Sequence, residues 1–196
     1  MKRAYFLAVG LFAASSATSL NAIPAPSGNG VSFAVSFPGS MSAQPIDGHI
    51  TLIIAKGASK EPRTLISEDR PLTAPAMFGL TVDGMKPGAA AAIDAKAFGW
   101  PLRSLSLLPA GDFTVQAVLN RYETFHLADG RVLILPPDMG EGQHGNEKPG
   151  NLYSKPIKIH VNAAHPARIT LTLDQKIGPV KQKADTPFIK HIRIKS

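Results

Sequence analysis

Aromatic and hydrogen-bonding side chains gather around one long loop, residues 136–151. Seven of its 16 residues are Gly or Pro, and a loop of this length in a compact domain is usually functional or disordered. Flat apolar rings beside polar groups form many saccharide and peptide sites. The alternative is that two of the rings fill the rim of the fold while the loop packs on a neighbouring domain. The predicted ligand-binding surface consists of Tyr122, Glu123, Phe125, His126, Gln143, His144, Asn146 and Tyr153.

Catalytic and metal-binding motifs are absent from the sequence. A nucleophilic serine of the α/β-hydrolase type needs the pentapeptide G-x-S-x-G, whose small residues permit the strained turn that exposes it. Ser40 gives the nearest approach, and we interpret it as a turn serine. We therefore expect no enzymatic activity, no metal and no cofactor. Two metal ligands lie on the same face when they are two residues apart on a strand or four residues apart on a helix. No two histidines of the chain have either spacing. The histidines are His49, His126, His144, His160, His165 and His191.

A glycine pattern of the dinucleotide-binding kind occurs inside the loop. Gly140, Gly142 and Gly145 satisfy G-x-G-x-x-G after a strand-like segment. In a dinucleotide site the third glycine opens a helix whose N-terminus faces the pyrophosphate. Here Pro149 follows the pattern and prevents such a helix, and Glu141 places a carboxylate where the phosphates must lie. We interpret these glycines as turn residues and not as part of a nucleotide site.

Alternating hydrophobic residues predict the strands that position the candidate side chains. Every second residue is apolar over 31–37, over 113–119 within a predicted strand 112–122, and over 169–173 within a predicted strand 168–173. This is the period of half-buried strands. The turn residues Asp129 and Gly130 predict a hairpin into a partner strand at 131–135. The central strand, 112–122, is predicted to direct four side chains to the core: Phe113, Val115, Ala117 and Leu119.

The fold predicted from these patterns is all-β, an antiparallel β-sandwich that is immunoglobulin-like or similar, with about eight or nine strands. The 17 prolines and 17 glycines favour short elements joined by turns. A short helical segment is predicted near 94–108, interrupted by Gly99 and Pro101. Further strands are predicted at 49–54, 77–82, 89–93, 151–161 and 188–194.

The beginning of the chain predicts its location. Residues 1–22 combine a basic start, an uncharged apolar run and small residues up to Ala22, the three-part pattern of a secretory signal peptide. The apolar run is too short to cross a bilayer. We expect an exported protein, periplasmic or extracellular, without a membrane span after signal cleavage. The remaining predicted divisions are a flexible segment 23–30, a β-sandwich domain 31–175 and a basic C-terminal segment 176–196 with a final strand or linker.

The positive charge of the chain, +7 in total, lies mainly near its ends. Two basic residues belong to the predicted signal peptide, and the segment 176–196 has six basic residues against Asp185 alone. A nucleic-acid site needs a basic face interleaved with aromatic rings, so we expect no nucleic-acid partner. The chain has no cysteine, and its stability must come from its core.

Several stretches resemble a known family. They are similar to the N-terminal β-rich domain that precedes the catalytic module in secreted bacterial esterases, the α/β-hydrolase group related to esterase D and enterochelin esterase. The residues that carry the resemblance are 98–102, 108–120, 122, 124–126, 129–130, 150–154 and 190–196. The resemblance covers residues 31–196. It implies that the lysine- and isoleucine-rich ending leads into a hydrolase domain, which carries the catalytic residues. None of the family's catalytic residues falls on a position of this chain.

Three functional hypotheses follow. The resemblance implies a non-catalytic accessory or interaction domain of an exported esterase system, whose partner is an α/β-hydrolase domain or protein. The second hypothesis is a stand-alone periplasmic binding protein for a saccharide or peptide, which uses the predicted surface. The third is part of an esterase whose catalytic domain is missing from this chain.

Overall fold

Two β-sheets pack face to face in the computed structural model, and a β-hairpin extends the fold. The predicted signal peptide, residues 1–22, lies outside the described residues, as do residues 23–29 and Gln143. No helix within the described residues is long and apolar enough to cross a membrane. The structure describes residues 30–57, 61–66, 74–138, 142, 144–162, 165–180 and 184–192.

Strands dominate the described residues, which confirms the all-β prediction. Helical structure there is confined to two short 3-10 helices, Pro62–Leu65 and Leu105–Leu107. The strands are β1 Ser32–Ser36, β2 Ile46–Lys56, β3 Ala76–Met85, β4 Ala91–Ile93, β5 Phe98–Trp100, β6 Gly111–Arg121, β7 Glu123–His126, β8 Val132–Leu135, β9 Leu152–Tyr153, β10 Ile157–Val161, β11 Arg168–Thr172 and β12 Gln175–Lys176.

The large sheet is antiparallel and has the strand order β12-β9-β6-β2-β3-β5. β2 and β6 are its long central strands, and they pair over nine consecutive positions from Gly48 to Lys56. β10 pairs with the beginning of β6 and β9 with its end, so the two short strands share one edge of β6. The predicted strand at 112–122 is confirmed as β6, and the predicted turn joins β7 to β8 in an antiparallel hairpin.

The small sheet has the order β11-β1-β4, and one of its pairings is parallel. β1 runs parallel to β11, with Ser32 opposite Arg168 and Ser36 opposite Thr172. Parallel strands need a long crossover connection, and the whole chain between β1 and β11 provides it. β1 and β4 are antiparallel.

The core lies between the inner faces of the two sheets. Phe33 and Val35 of β1 and Leu52 of β2 belong to one buried hydrophobic cluster, and all three are at most 1% exposed. The four side chains of β6 that were predicted to face the core do so. Because alternate residues of a strand point to opposite faces, the other residues of β6 must lie on the outer face of the large sheet.

Two sequence predictions differ from the structure. Within 94–108 only Leu105–Leu107 is helical, as a 3-10 helix, and Phe98–Trp100 is strand β5. β5 pairs with β3, and these backbone hydrogen bonds replace those of the predicted helix. The strand predicted from Phe188 is absent from its described part, 188–192.

Candidate functional site

The outer face of the large sheet is covered at one end and open at the other. On β6, the outward-facing Gln116 is 0% exposed and Val118 is 2% exposed, although a solvent-facing strand surface exposes such side chains. The segment 61–66 and the loop 144–151 lie over this part of the sheet and bury it. We call these two segments the cover.

Gln116 anchors the cover to the sheet. Its side-chain Oε1 accepts a hydrogen bond of 2.9 Å from the backbone N–H of Arg63. Its Nε2 donates at 2.8 Å to Oε1 of Glu61 and at 2.8 Å to the carbonyl oxygen of Ser154. All the polar atoms of this fully buried amide therefore have partners, which a buried side chain requires.

Arg63 joins the two segments of the cover. It donates to both carboxylate oxygens of Glu61, at 2.9 and 3.1 Å, and to the carbonyl oxygen of Asn146 at 3.2 Å. Nδ2 of Asn146 returns a hydrogen bond of 2.9 Å to the carbonyl oxygen of Arg63. The guanidinium lies 4.4 Å from the ring centroid of Tyr153, a cation–π arrangement. The bidentate pairing of Arg63 with Glu61 fixes the geometry of these two side chains.

The carboxyl of Glu61 stays ionised in this network. Burial alone raises its pKa, but the hydrogen bonds from Arg63 and Gln116 and the positive charge of Arg63 outweigh burial, so the pKa of Glu61 lies below its ordinary value. The ion pair therefore persists in mildly acidic solution.

The loop 144–151 is fastened to the end of β6. Asn151 is fully buried, and its Oδ1 accepts a hydrogen bond of 2.9 Å from the backbone N–H of Arg121. Its Nδ2 donates to Oδ1 of Asn120 at 3.0 Å and to the carbonyl oxygen of Gly145 at 2.6 Å. Lys148, 2% exposed, donates to the carbonyl oxygen of Arg121 at 2.6 Å. The described part of the loop is thus a fixed wall on its own sheet.

The open end of the outer face forms a groove next to this wall. Strand pairing brings three outward-facing positions into one row, because His49 of β2 lies between Asn120 of β6 and Thr81 of β3. The groove, which we call the outer groove, has a volume of about 250 Å³ and no charged side chain among its described lining residues. These residues are His49, Thr51, Ile53, Ile66, Met77, Val118, Asn120, Tyr122, Gly145 and Asn146.

Two exposed aromatic rings extend the groove toward the edge of the sheet. Phe98 of β5 lies opposite Gly79, and Trp100 lies opposite Met77. The two rings, which we call the aromatic edge, are 78% and 45% exposed. They line a shallow recess whose wall also includes His49 and Met77, so the outer groove and the aromatic edge form one continuous surface. No charged residue is among the described residues that line this recess.

His49 contributes an imidazole to the outer groove. Its Nδ1 lies 3.2 Å from Oγ1 of Thr81, within hydrogen-bond distance, and its ring covers Gly79. A Cβ atom on Gly79 would lie 2.5 Å from Nε2 of His49, so glycine is required for this ring position. Burial lowers the pKa of His49 below its ordinary value of 6.5, and the ring is neutral at pH near 7.

We expect His49 to make folding stability depend on pH. The pKa of His49 is lower in the folded protein than in the unfolded chain, so below pH 6.5 the unfolded chain binds a proton that the folded protein does not. The contribution of His49 to the free energy of unfolding is therefore complete above pH 6.5. It is lost as the pH falls below that value toward the folded pKa. Urea unfolding of the wild type between about pH 7 and about pH 5 should therefore show a steeper loss than His49→Gln, which does not titrate. Identical pH profiles for the two proteins would contradict the placement of His49.

The structure distributes the residues of the predicted surface over three places. Tyr122 and Asn146 line the outer groove. Tyr153 lies beneath Arg63 in the cover. The others in described positions are exposed, with Glu123, Phe125 and His126 on β7 and His144 in the loop. Gln143 lies outside the described residues.

Several groove residues were missed by the sequence prediction. His49 and Thr51 occupy alternate, outward positions of a predicted strand, and that alternation of polar residues is the signal that identifies them. Phe98 and Trp100 flank a glycine at the two-residue spacing of a strand face. This signal was hidden because the segment was predicted to be helical.

A serine–histidine–acid arrangement is not found in the described residues. His160 pairs with Asp112 at 2.7 Å and His191 with Asp185 at 3.0 Å, but in this part of the chain no serine hydroxyl is hydrogen-bonded to either imidazole. A serine nucleophile that is activated by histidine needs that contact. The described residues also contain no group of three or more side chains positioned to hold a metal.

Comparison of the chain with models of protein families, with curated proteins and with solved structures found no match. The resemblance to the N-terminal domains of secreted esterases therefore stays a prediction. The fold and the candidate site define an all-β domain with an open groove on the outer face of its large sheet, and the described residues that line this groove are neutral.

Proposed function

We propose that this protein is a non-catalytic binding domain whose ligand, a saccharide or a peptide, lies in the outer groove. The observation that carries this proposal is the contrast between the two ends of the outer face. One end is closed by a hydrogen-bonded cover anchored on Gln116. The other end is open and is lined by neutral polar and apolar side chains. Ligand sites in proteins are commonly concave, mainly apolar and largely pre-formed, with a few fixed polar groups.

The cover makes the groove rigid enough to select a ligand. Asn146 lines the groove and is held on both its backbone carbonyl and its side chain by Arg63. Asn120 lines it as well and is held by Asn151. Side chains that are fixed before binding lose little conformational entropy when the ligand arrives.

Thermal unfolding in the presence of probe ligands tests this proposal. The probes are neutral hexasaccharides (cello-, xylo-, manno-, malto- and chitohexaose) and a library of short uncharged peptides. A ligand that binds only the folded protein raises the midpoint of thermal unfolding by roughly 5–10 °C at a concentration of about 100 times its Kd.

Tyr122→Ala should lower this stabilisation, because Tyr122 lines the groove. The control Phe125→Ala should retain it, because Phe125 lies on the hairpin strand β7. Absence of stabilisation by every probe would overturn the proposal.

The accessory role in an exported esterase system is a second candidate, and one observation favours it. The β7–β8 hairpin exposes apolar side chains on the surface, including Val132 at 54%, Ile134 at 48% and Leu135 at 46%. Contiguous exposed apolar surface often marks a protein interface. In this role the hairpin contacts an α/β-hydrolase domain, and the isolated domain self-associates with increasing concentration in sedimentation experiments. The groove-binding domain stays monomeric in the same measurement.

A further inference from the structure

The aromatic edge presents two exposed rings on one face of β5. Phe98 and Trp100 are two residues apart on β5, so they point to the same face about 7 Å apart. Gly99 between them points inward, where an added Cβ would collide with the ring of Phe78 and the carbonyl of Met77. The close approach of β5 to β3 therefore holds both rings outward.

Polar groups lie beside these rings at the same level of the sheet. Val118, Thr51, Gly79 and Phe98 form one row across four neighbouring strands, a width of about 14 Å at the usual strand spacing. The imidazole of His49 lies over Gly79, the residue paired with Phe98. A ligand on the aromatic edge therefore meets Nε2 of His49 and the hydroxyl of Thr51.

The chemistry of this surface separates ligand classes. The described lining residues carry no charge, so nothing there neutralises a phosphate, a uronic acid or a charged peptide side chain. Peptides commonly bind by pairing with an open strand edge. In the groove floor β2 and β6 are paired on both edges, whereas β3 pairs with β5 only over Met77–Gly79. Among the described strands, a peptide would therefore have to pair with the outer edge of β5 or with the rest of β3, and the peptide probes test this alternative. A sugar ring has an apolar C–H face and a rim of hydroxyl groups, which match a flat ring beside neutral hydrogen-bonding groups.

We propose that the ligand of the outer groove is a neutral oligosaccharide, with sugar rings stacked on Phe98 and Trp100 and hydroxyl groups bonded to His49 and Thr51. This inference rests on the proposed binding function and names its ligand class. Trp100 is the only tryptophan of the chain, so tryptophan fluorescence reports on this position alone.

The test is a titration of the full chain with the five neutral hexasaccharides named above. Tryptophan fluorescence emission and the midpoint of thermal unfolding are the two quantities measured. We expect one of them to change the emission of Trp100 and to raise the midpoint together. Trp100→Ala should bind about tenfold more weakly or worse, because the sugar face loses its apolar contact. Trp100→Tyr should recover part of the affinity. Phe188→Ala, which removes an aromatic ring 96% exposed in the C-terminal region, is the matched control and should bind normally.

The outcomes separate this inference from the proposed function. One outcome is a hexasaccharide that stabilises the protein, leaves the tryptophan emission unchanged and binds Trp100→Ala normally. This outcome would overturn the proposed stacking on Trp100 and would keep the outer groove as the ligand site. Stabilisation by uncharged peptides alone overturns the saccharide and keeps the binding function. No stabilisation by saccharides or peptides overturns both.

Discussion

Val115→Asp is expected to unfold the domain. Val115 is 0% exposed at the centre of β6 and belongs to the core between the two sheets. An unpaired carboxylate there loses its hydration without gaining a partner, a cost comparable with the whole stability of a domain, about 5–15 kcal/mol. Circular dichroism of the purified variant should show no cooperative thermal transition.

The control for this variant is Lys158→Asp. Lys158 lies on β10, close to Val115 in the sheet but exposed. The substitution also introduces an aspartate, and we expect a change in the free energy of unfolding within about 0.5 kcal/mol. A folded Val115→Asp protein with a cooperative transition near that of the wild type would show that β6 does not face the core with this register.

Gln116→Ala is expected to lower the free energy of unfolding by about 3 kcal/mol. The amide of Gln116 is fully buried and bonds to Glu61, to the backbone of Arg63 and to the backbone of Ser154. Its loss leaves the N–H of Arg63 without its acceptor, and it releases the cover from the sheet. Urea unfolding measures this loss, and weaker binding in the outer groove should accompany it.

Gln175→Ala is the matched glutamine control. The side chain of Gln175 donates only to Asp174, its neighbour in the chain, so its removal should change the free energy of unfolding by about 0.5 kcal/mol or less. Equal effects of the two substitutions would mean that Gln116 does not anchor the cover.

The inner face of β6 was predictable from the sequence, whereas its outer face was not. Period-2 alternation identifies which side chains of a strand share a face, and it placed Phe113 and Val115 correctly. The burial of Gln116 depends on partners 53 and 55 residues away in the chain. No local pattern contains that information. The parallel pairing of β1 with β11 is likewise set by distant parts of the chain.

Sequence patterns named only some of the residues that line the outer groove. Tyr122 and Asn146 were named because they flank or belong to a long, turn-rich loop, and the structure places both along the groove. Phe98 and Trp100 were missed because residues two apart on a helix point to different faces, and only a strand brings them to one face. The pairing of β5 with β3, which decides between the two, is a tertiary contact.

Mapping of backbone amide shifts by NMR, while the neutral hexasaccharides and uncharged peptides are added in turn, tests the central claim most directly. If the outer groove is the ligand site, the shifts will concentrate at His49, Thr51, Gly79 and Tyr122, and the hairpin will stay unchanged. Shifts confined to the β7–β8 hairpin, or no shifts with any probe, would contradict the claim.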